Sequence, residues 1–291
     1  MSERKGLVFV SIAAVLFSIG GLGVKMIPWK GLSISCLRSL LAVLVLIVFA
    51  RIIRHPLKLT KGVVFGAVAV CANSVFFTIA TKLTTAANAI LLEFTSPIFV
   101  ILFLWLVFHE KPRGADIIAC VFVFAGIGFF VMDGLGQGNL LGNVLAIFAG
   151  MGYAWVFLMN RLPGGDALFS TILGQCFSVV LGLPSLVRET DFSLPTMAWA
   201  VAMGVFQLGL AYVFLTTGLR SAPPVPASLV AGIEPVLNPI LVALVVGETL
   251  SGWSILGGIV VFVTVMVYNV VMARKEKEES TAVESNDPQT Q

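Results

Sequence analysis

The chain has 291 residues, of which 58% are hydrophobic and only 11% charged, with a mean hydropathy of +1.02. A water-soluble domain carries roughly 25% charged residues, so this composition excludes a soluble globular protein and points to one solvated largely by lipid. The net charge of +3 at pH 7 gives no support for a nucleic-acid partner.

A helix crossing the hydrocarbon layer needs about 20 apolar residues, and only segments with closed backbone hydrogen bonding survive there. Charged and Pro/Gly-rich punctuation divides the chain into ten such runs, at residues 6–26, 32–50, 62–81, 86–108, 114–132, 139–160, 167–187, 196–218, 226–246 and 252–272. The first has a basic start, but its apolar run is too long for a signal-peptide core and lacks a small-x-small cleavage site, so it reads as a retained helix. Connections are short, the longest running from Arg51 to Lys61 and the next from Arg188 to Pro195. Residues 273–291 are charged and polar and are expected to form a disordered tail. Cys36, Cys71, Cys120 and Cys176 all fall inside apolar runs without metal or disulfide spacing, so they read as small buried residues. With the N-terminus cytoplasmic, thirteen Lys and Arg fall on the cytoplasmic side and four on the other, with Arg38 inside a span. That bias predicts both termini inside a multi-pass protein of the cytoplasmic membrane.

An offset of 138 residues aligns the two halves without a gap from the third span of each to the fifth. Gly66 falls on Gly204, Phe76 on Phe214, Ala89 on Ala227, Pro97 on Pro235, Glu110 on Glu248 and Gly114 on Gly252. Five spans is an odd number, so the second copy enters the membrane upside down, an architecture recurrent in secondary transporters. The expected fold is therefore an all-α integral membrane protein of ten transmembrane helices, arranged as two inverted five-helix repeats at 1–133 and 134–272.

The twice-used pattern of a Pro, twelve residues, a Glu, three residues and a Gly resembles the EamA family of the drug/metabolite transporter superfamily. AAVLFSIGGLGVKM in the first span and AGMGYAWVFLMNRL in the sixth agree with it more loosely. The resemblance implies ten spans, inverted repeats and a central cavity lined mainly by spans 1, 3, 4, 6, 8 and 9. It also implies export or exchange of small metabolites such as amino acids, amines or drugs. Glu110 and Glu248 belong to the shared frame and read as organisers of helix ends.

Only Arg38, Glu93 and Glu234 are ionisable and well inside spans. A centred charge costs about 2.5–3.5 kcal/mol on insertion scales, so each needs a partner, a wet cavity or a proton. Glu93 precedes Pro97 by four residues and Glu234 directly precedes Pro235, with Pro239 beyond; a proline frees a backbone carbonyl and permits bending. Ala227, Ala231, Glu234 and Asn238 share one helix face. The carboxylates are candidates for attracting a cationic or zwitterionic substrate and for exchanging a proton with it, while Arg38 is a candidate for a substrate carboxylate. Asn73 and Phe77 on the third span, Tyr153 and Trp155 on the sixth, and Gln207 and Tyr212 on the eighth complete the candidate wall.

The two histidines, His55 and His109, lie at predicted cytoplasmic ends, and no nucleophile has an obvious base. The expectation is a non-enzymatic transporter without a cofactor or metal, acting on a small molecule in the bilayer, with protons as the candidate coupling ion. The alternative is a carrier of anionic or phosphorylated metabolites, which needs several Lys or Arg in the cavity and has Arg38 alone.

Overall fold

The computed structural model describes residues 1–134, 140–246 and, further on, 252, 253, 255–257, 259, 260, 263, 264, 267, 268, 270 and 271. Glu248 and the tail at 273–291 lie outside the described residues. All regular structure among the described residues is helical. The first half holds α1 (Glu3–Phe17), α2 (Gly20–Met26), α3 (Gly31–Ile52), α4 (Lys61–Leu83), α5 (Ala86–Glu93), α6 (Ser96–Phe108) and α7 (Gly114–Gly134). The second holds α8 (Leu140–Leu158), α9 (Ala167–Leu186), α10 (Leu194–Ala202), α11 (Ala211–Gly218), α12 (Pro224–Val230) and α13 (Ile233–Val246). A 3-10 turn at Met159–Arg161 extends α8, and a π-helical stretch at Met203–Leu210 joins α10 to α11.

Joined where they run on, these make eight helices long and apolar enough to cross a membrane, whose ends fall within three residues of the runs read from the sequence. The fifth run, α7, carries a shorter apolar stretch at Gly114–Gly126. Leu44, Val48, Val68, Val121, Phe122 and Leu181 are exposed. Apolar side chains facing outward in this way suit hydrocarbon and not water. Helix starts are set by short polar side chains: Thr60, Thr85 and Asp166 accept hydrogen bonds from the backbone N–H of Val63, Asn88 and Phe169, which satisfies first-turn donors with no helical partner.

Among the described residues, four spans are discontinuous. The fourth and ninth break at Phe94–Thr95 and Ala231–Gly232, just ahead of Pro97 and Pro235, where proline suits the first turn of a restarting helix. The eighth carries the π stretch. The first breaks at Ser18–Ile19 with no proline at all. Ser18 Oγ donates to the Ala14 carbonyl at 2.8 Å, while the Ser18 carbonyl, freed by the break, accepts from Asn238 Nδ2 at 2.8 Å. The irregular backbone is thus satisfied inside the protein and not by lipid.

The packing is crossed between the halves. The third span (α4) lies against α8 and α9, α3 lies against α9 and the π stretch, and the first span lies against α11, α12 and α13. Helix α8 also packs on α5 and α6, and α6 meets α12. Gly150 of α8 permits one of these contacts, because a Cβ there would stand 2.5 Å from the Glu93 carbonyl oxygen at the fourth-span break.

Candidate functional site

The broken spans converge on a small cavity of about 20 Å³. Its charged wall is Arg38 from α3, Glu93 at the end of α5 and Glu234 in the first turn of α13. Asn73, Phe77, Gln207 and Tyr212 join them from α4, the π stretch and α11. With Tyr153, eight of the ten residues singled out in the sequence therefore share one space. Phe17, Tyr153 and Leu208 also line it; Tyr153 was among the aromatic candidates, whereas Phe17 becomes a wall residue only because the first span breaks beside it.

Each charged group is held differently. Arg38 is 2% exposed. Its Nη2 donates to both the carbonyl and the Oγ of Ser74 at 3.1 Å, and its guanidinium carbon lies 5.8 Å from the Phe77 ring centroid. Its Nε and Nη1 have no hydrogen-bond partner among the described residues. Below it, Ser39 Oγ donates to Gln175 Oε1 at 2.6 Å, fixing the floor of the network. Glu93 accepts from Asn73 Nδ2 at 2.5 Å, and the same nitrogen donates to the Ala149 carbonyl at 3.1 Å, tying the carboxylate to α8. Glu234 makes no side-chain hydrogen bond among the described residues, although it is 7% exposed. Arg38, Glu93, Glu234, Tyr153 and Tyr212 lie within electrostatic reach of one another. The aromatic wall is braced edge-on, Phe17 meeting Tyr212 at 5.2 Å and Tyr153 at 6.3 Å.

Two candidates lie elsewhere. Trp155 stacks on Phe103 at 4.6 Å and meets Phe65 edge-on at 4.8 Å, away from the cavity. Asn238 is fully buried against Gly21 and is engaged at the Ser18 break. A further buried acid, Asp116, escaped the sequence reading because it sits at the edge of its span; it accepts from Tyr268 Oη at 2.7 Å.

Both ends of the bundle are closed by cross-links between loops. At the end bearing the start of α1, Arg161 Nη1 pairs with Glu110 at 2.9 Å. There too, His55 Nε2 meets Asp166 at 2.5 Å and its Nδ1 accepts from Arg220 at 3.2 Å. At the opposite end Lys82 Nζ donates to the Ile27 carbonyl at 2.6 Å, Lys25 Nζ to the Thr84 carbonyl at 2.9 Å and Ser33 Oγ to Glu189 at 2.6 Å. Trp29 Nε1 donates to the Asp191 carbonyl at 2.7 Å. The Asp191 carboxylate accepts from the Ser193 N–H and from Thr196 Oγ1, both at 2.9 Å, and the Ser193 hydrogen bonds foremost hold it below the usual carboxylate range. A second cavity of about 120 Å³ lies at the first end, between Glu110, Arg113, Arg161 and Pro224, and shares no residue with the charged one.

The model of the EamA-like transporter family matches this chain twice, at residues 4–132 and 138–270. The chain belongs to that family. It is a multi-pass membrane protein of the drug/metabolite transporter kind, and its family implies a small-molecule substrate. An uncharacterized transporter of Clostridium kluyveri is 24% identical over 90% of this chain and 91% of its own length. The threonine/homoserine exporter RhtA of Salmonella typhimurium is 24% identical over 88% of this chain and 90% of its own. Human solute carrier family 35 member G1 is 24% identical over 88% of this chain and 76% of its own. A solved crystal structure overlays with a TM-score of 0.76 at 17% identity, covering 94% of this chain and 99% of the other. That likeness shows a shared fold.

Proposed function

We propose that this EamA-like protein is a secondary transporter that exports small amine-bearing metabolites, amino-acid-like compounds among them, across the cell membrane. The observation that carries the reading is the buried cavity, lined by one guanidinium and two carboxylates, at the meeting point of broken spans. Discontinuous helices around a buried polar site are what a transporter needs: they supply joints for motion and polar groups for a desolvated solute. The space of about 20 Å³ suffices for roughly one water, so a metabolite enters only when the helices part. Alternating access follows, with the two sets of loop cross-links opening in turn.

Ten spans in two inverted repeats account for the crossed packing. Exchanging each span for its mate turns the contact of the third span with the sixth into that of the eighth with the first, and both pairs pack closely. It likewise turns the third-span contact with the seventh into that of the eighth with the second. The twofold family match agrees with such a duplication. The Lys/Arg bias places the end carrying Arg161 and His55 in the cytoplasm. The relative named as a threonine/homoserine exporter favours amino-acid-like cargo and outward direction. Carriage of phosphorylated anions fits poorly, since Arg38 is the one Lys or Arg among the described cavity residues and faces two carboxylates. Protons compete with an ammonium for those carboxylates and are the proposed coupling ion. No catalytic role is assigned.

The test is exchange of labelled amines and amino acids in vesicles reconstituted with the purified protein, comparing wild type with Glu93→Gln. We expect at least one solute to move, to respond to an imposed pH gradient, and to slow by about tenfold or more in the variant, the loss of one charge-assisted hydrogen bond. No movement of any solute by the wild type, or equal rates in the variant, would count against the reading.

A further inference from the structure

The charged groups in the cavity form an uneven set: one cation, Arg38, and two anions, Glu93 and Glu234. We infer that the preferred cargo is an α-amino acid whose side chain carries a second cationic group. The inference rests on the transport reading above and narrows its substrate class.

Charge balance in a buried space decides the class. With both carboxylates ionised the site carries a net charge of minus one, and an uncompensated charge among buried side chains is strongly disfavoured. A dibasic amino acid presents the complementary set, one carboxylate and two cationic groups, and leaves no group unpaired. The hydrogen-bond inventory agrees. Nε and Nη1 of Arg38 have no partner among the described residues, so the guanidinium keeps charged N–H donors for a carboxylate. Glu93 is already oriented by Asn73, which suits it to hold an α-ammonium in a fixed place. Glu234 is buried without a hydrogen-bond donor among the described residues and is left for the second cation. A simple diamine lacks the carboxylate and leaves the Arg38 Nε and Nη1 donors unpaired. A neutral amino acid lacks the second cation, so Glu234 must keep a proton for the site to balance. The groups that face Glu234, namely Arg38, Glu93, Tyr153 and Tyr212, supply only one positive charge between them.

The experiment is counterflow in reconstituted vesicles with labelled lysine, threonine and 1,5-diaminopentane, for wild type and for Glu234→Gln, with monodispersity in detergent as the folding control. Wild type is expected to exchange lysine at least about tenfold faster than either threonine or the diamine, the margin of one charge-assisted hydrogen bond. Glu234→Gln is expected to lower the lysine-to-threonine ratio by a similar factor, because a site of zero net charge suits a zwitterion. Threonine exchanged as fast as lysine by the wild type overturns the inference while leaving the transport reading intact. So does an unchanged ratio in a well-folded variant. Absence of all exchange by the wild type overturns the transport reading itself. A variant that does not fold leaves the wild-type ranking to decide.

Discussion

Replacing Arg38 with methionine tests the charge balance of the site through stability alone, without a substrate. The methionine fills much of the same volume but removes two hydrogen bonds to Ser74, the contact over Phe77, and the one positive charge facing Glu93 and Glu234. Deleting one partner of a buried charged set leaves the others uncompensated and costs about 3–5 kcal/mol. At roughly 2–4 °C per kcal/mol for chains of this order of size, the melting point in detergent falls by about 6–20 °C, read by intrinsic tryptophan fluorescence. Glu234→Gln alone relieves the excess negative charge and is expected to be neutral or stabilising. In the doubly substituted protein one carboxylate remains where the single Arg38→Met variant has two, so the loss shrinks by at least about 1 kcal/mol, a size that a double-mutant cycle resolves. Strict additivity of the two substitutions would falsify the view that these side chains share one electrostatic site.

Three other outcomes follow from the geometry. Gly150→Ala places a Cβ 2.5 Å from the Glu93 carbonyl oxygen and 2.9 Å from Thr95 Oγ1. It forces α8 off the fourth-span break at about 1–3 kcal/mol, which lowers the melting point and slows exchange; wild-type behaviour in both would show that the break tolerates displacement. Asp166→Ala removes the cap of α9 and the partner of His55 together, so about 1 kcal/mol of stability is lost, measurable in the same melting assay. At the opposite end, the Asp191 carboxyl titrates below its ordinary value of about 3.9. A depressed value contributes stability above the unfolded-state pKa that is lost as pH falls through the folded one. Protection of the amides at Ser193 and the start of α10, taken relative to the intrinsic exchange rate at each pH, is therefore expected to hold from pH 7 to about 4 and to fall below, and a loss already near pH 6 would contradict the assignment.

The sequence by itself determined eight of its ten expected spans as the described residues show them, because lipid imposes a length and a composition that any span must meet, and runs of about 20 apolar residues between charged punctuation are hard to misread. It also singled out Arg38, Glu93 and Glu234, since a charge in an apolar run is conspicuous wherever it points. It did not show the break at Ser18–Ile19, which has no proline to announce it and depends on Asn238, 220 residues further along the chain, to satisfy the freed carbonyl. Nor did it separate Trp155 and Asn238 from the cavity wall, because in a helix that is apolar all round the hydrophobic pattern does not say which face meets lipid and which meets protein. The tertiary structure decided those matters: which faces turn inward, that Phe17 joins the wall, that Asn73 holds Glu93, and that Glu234 is left with no donor. Except for Asn73 and Glu93, which lie 20 residues apart within the first half, these are relations between segments far apart in the chain, and tertiary packing alone creates them.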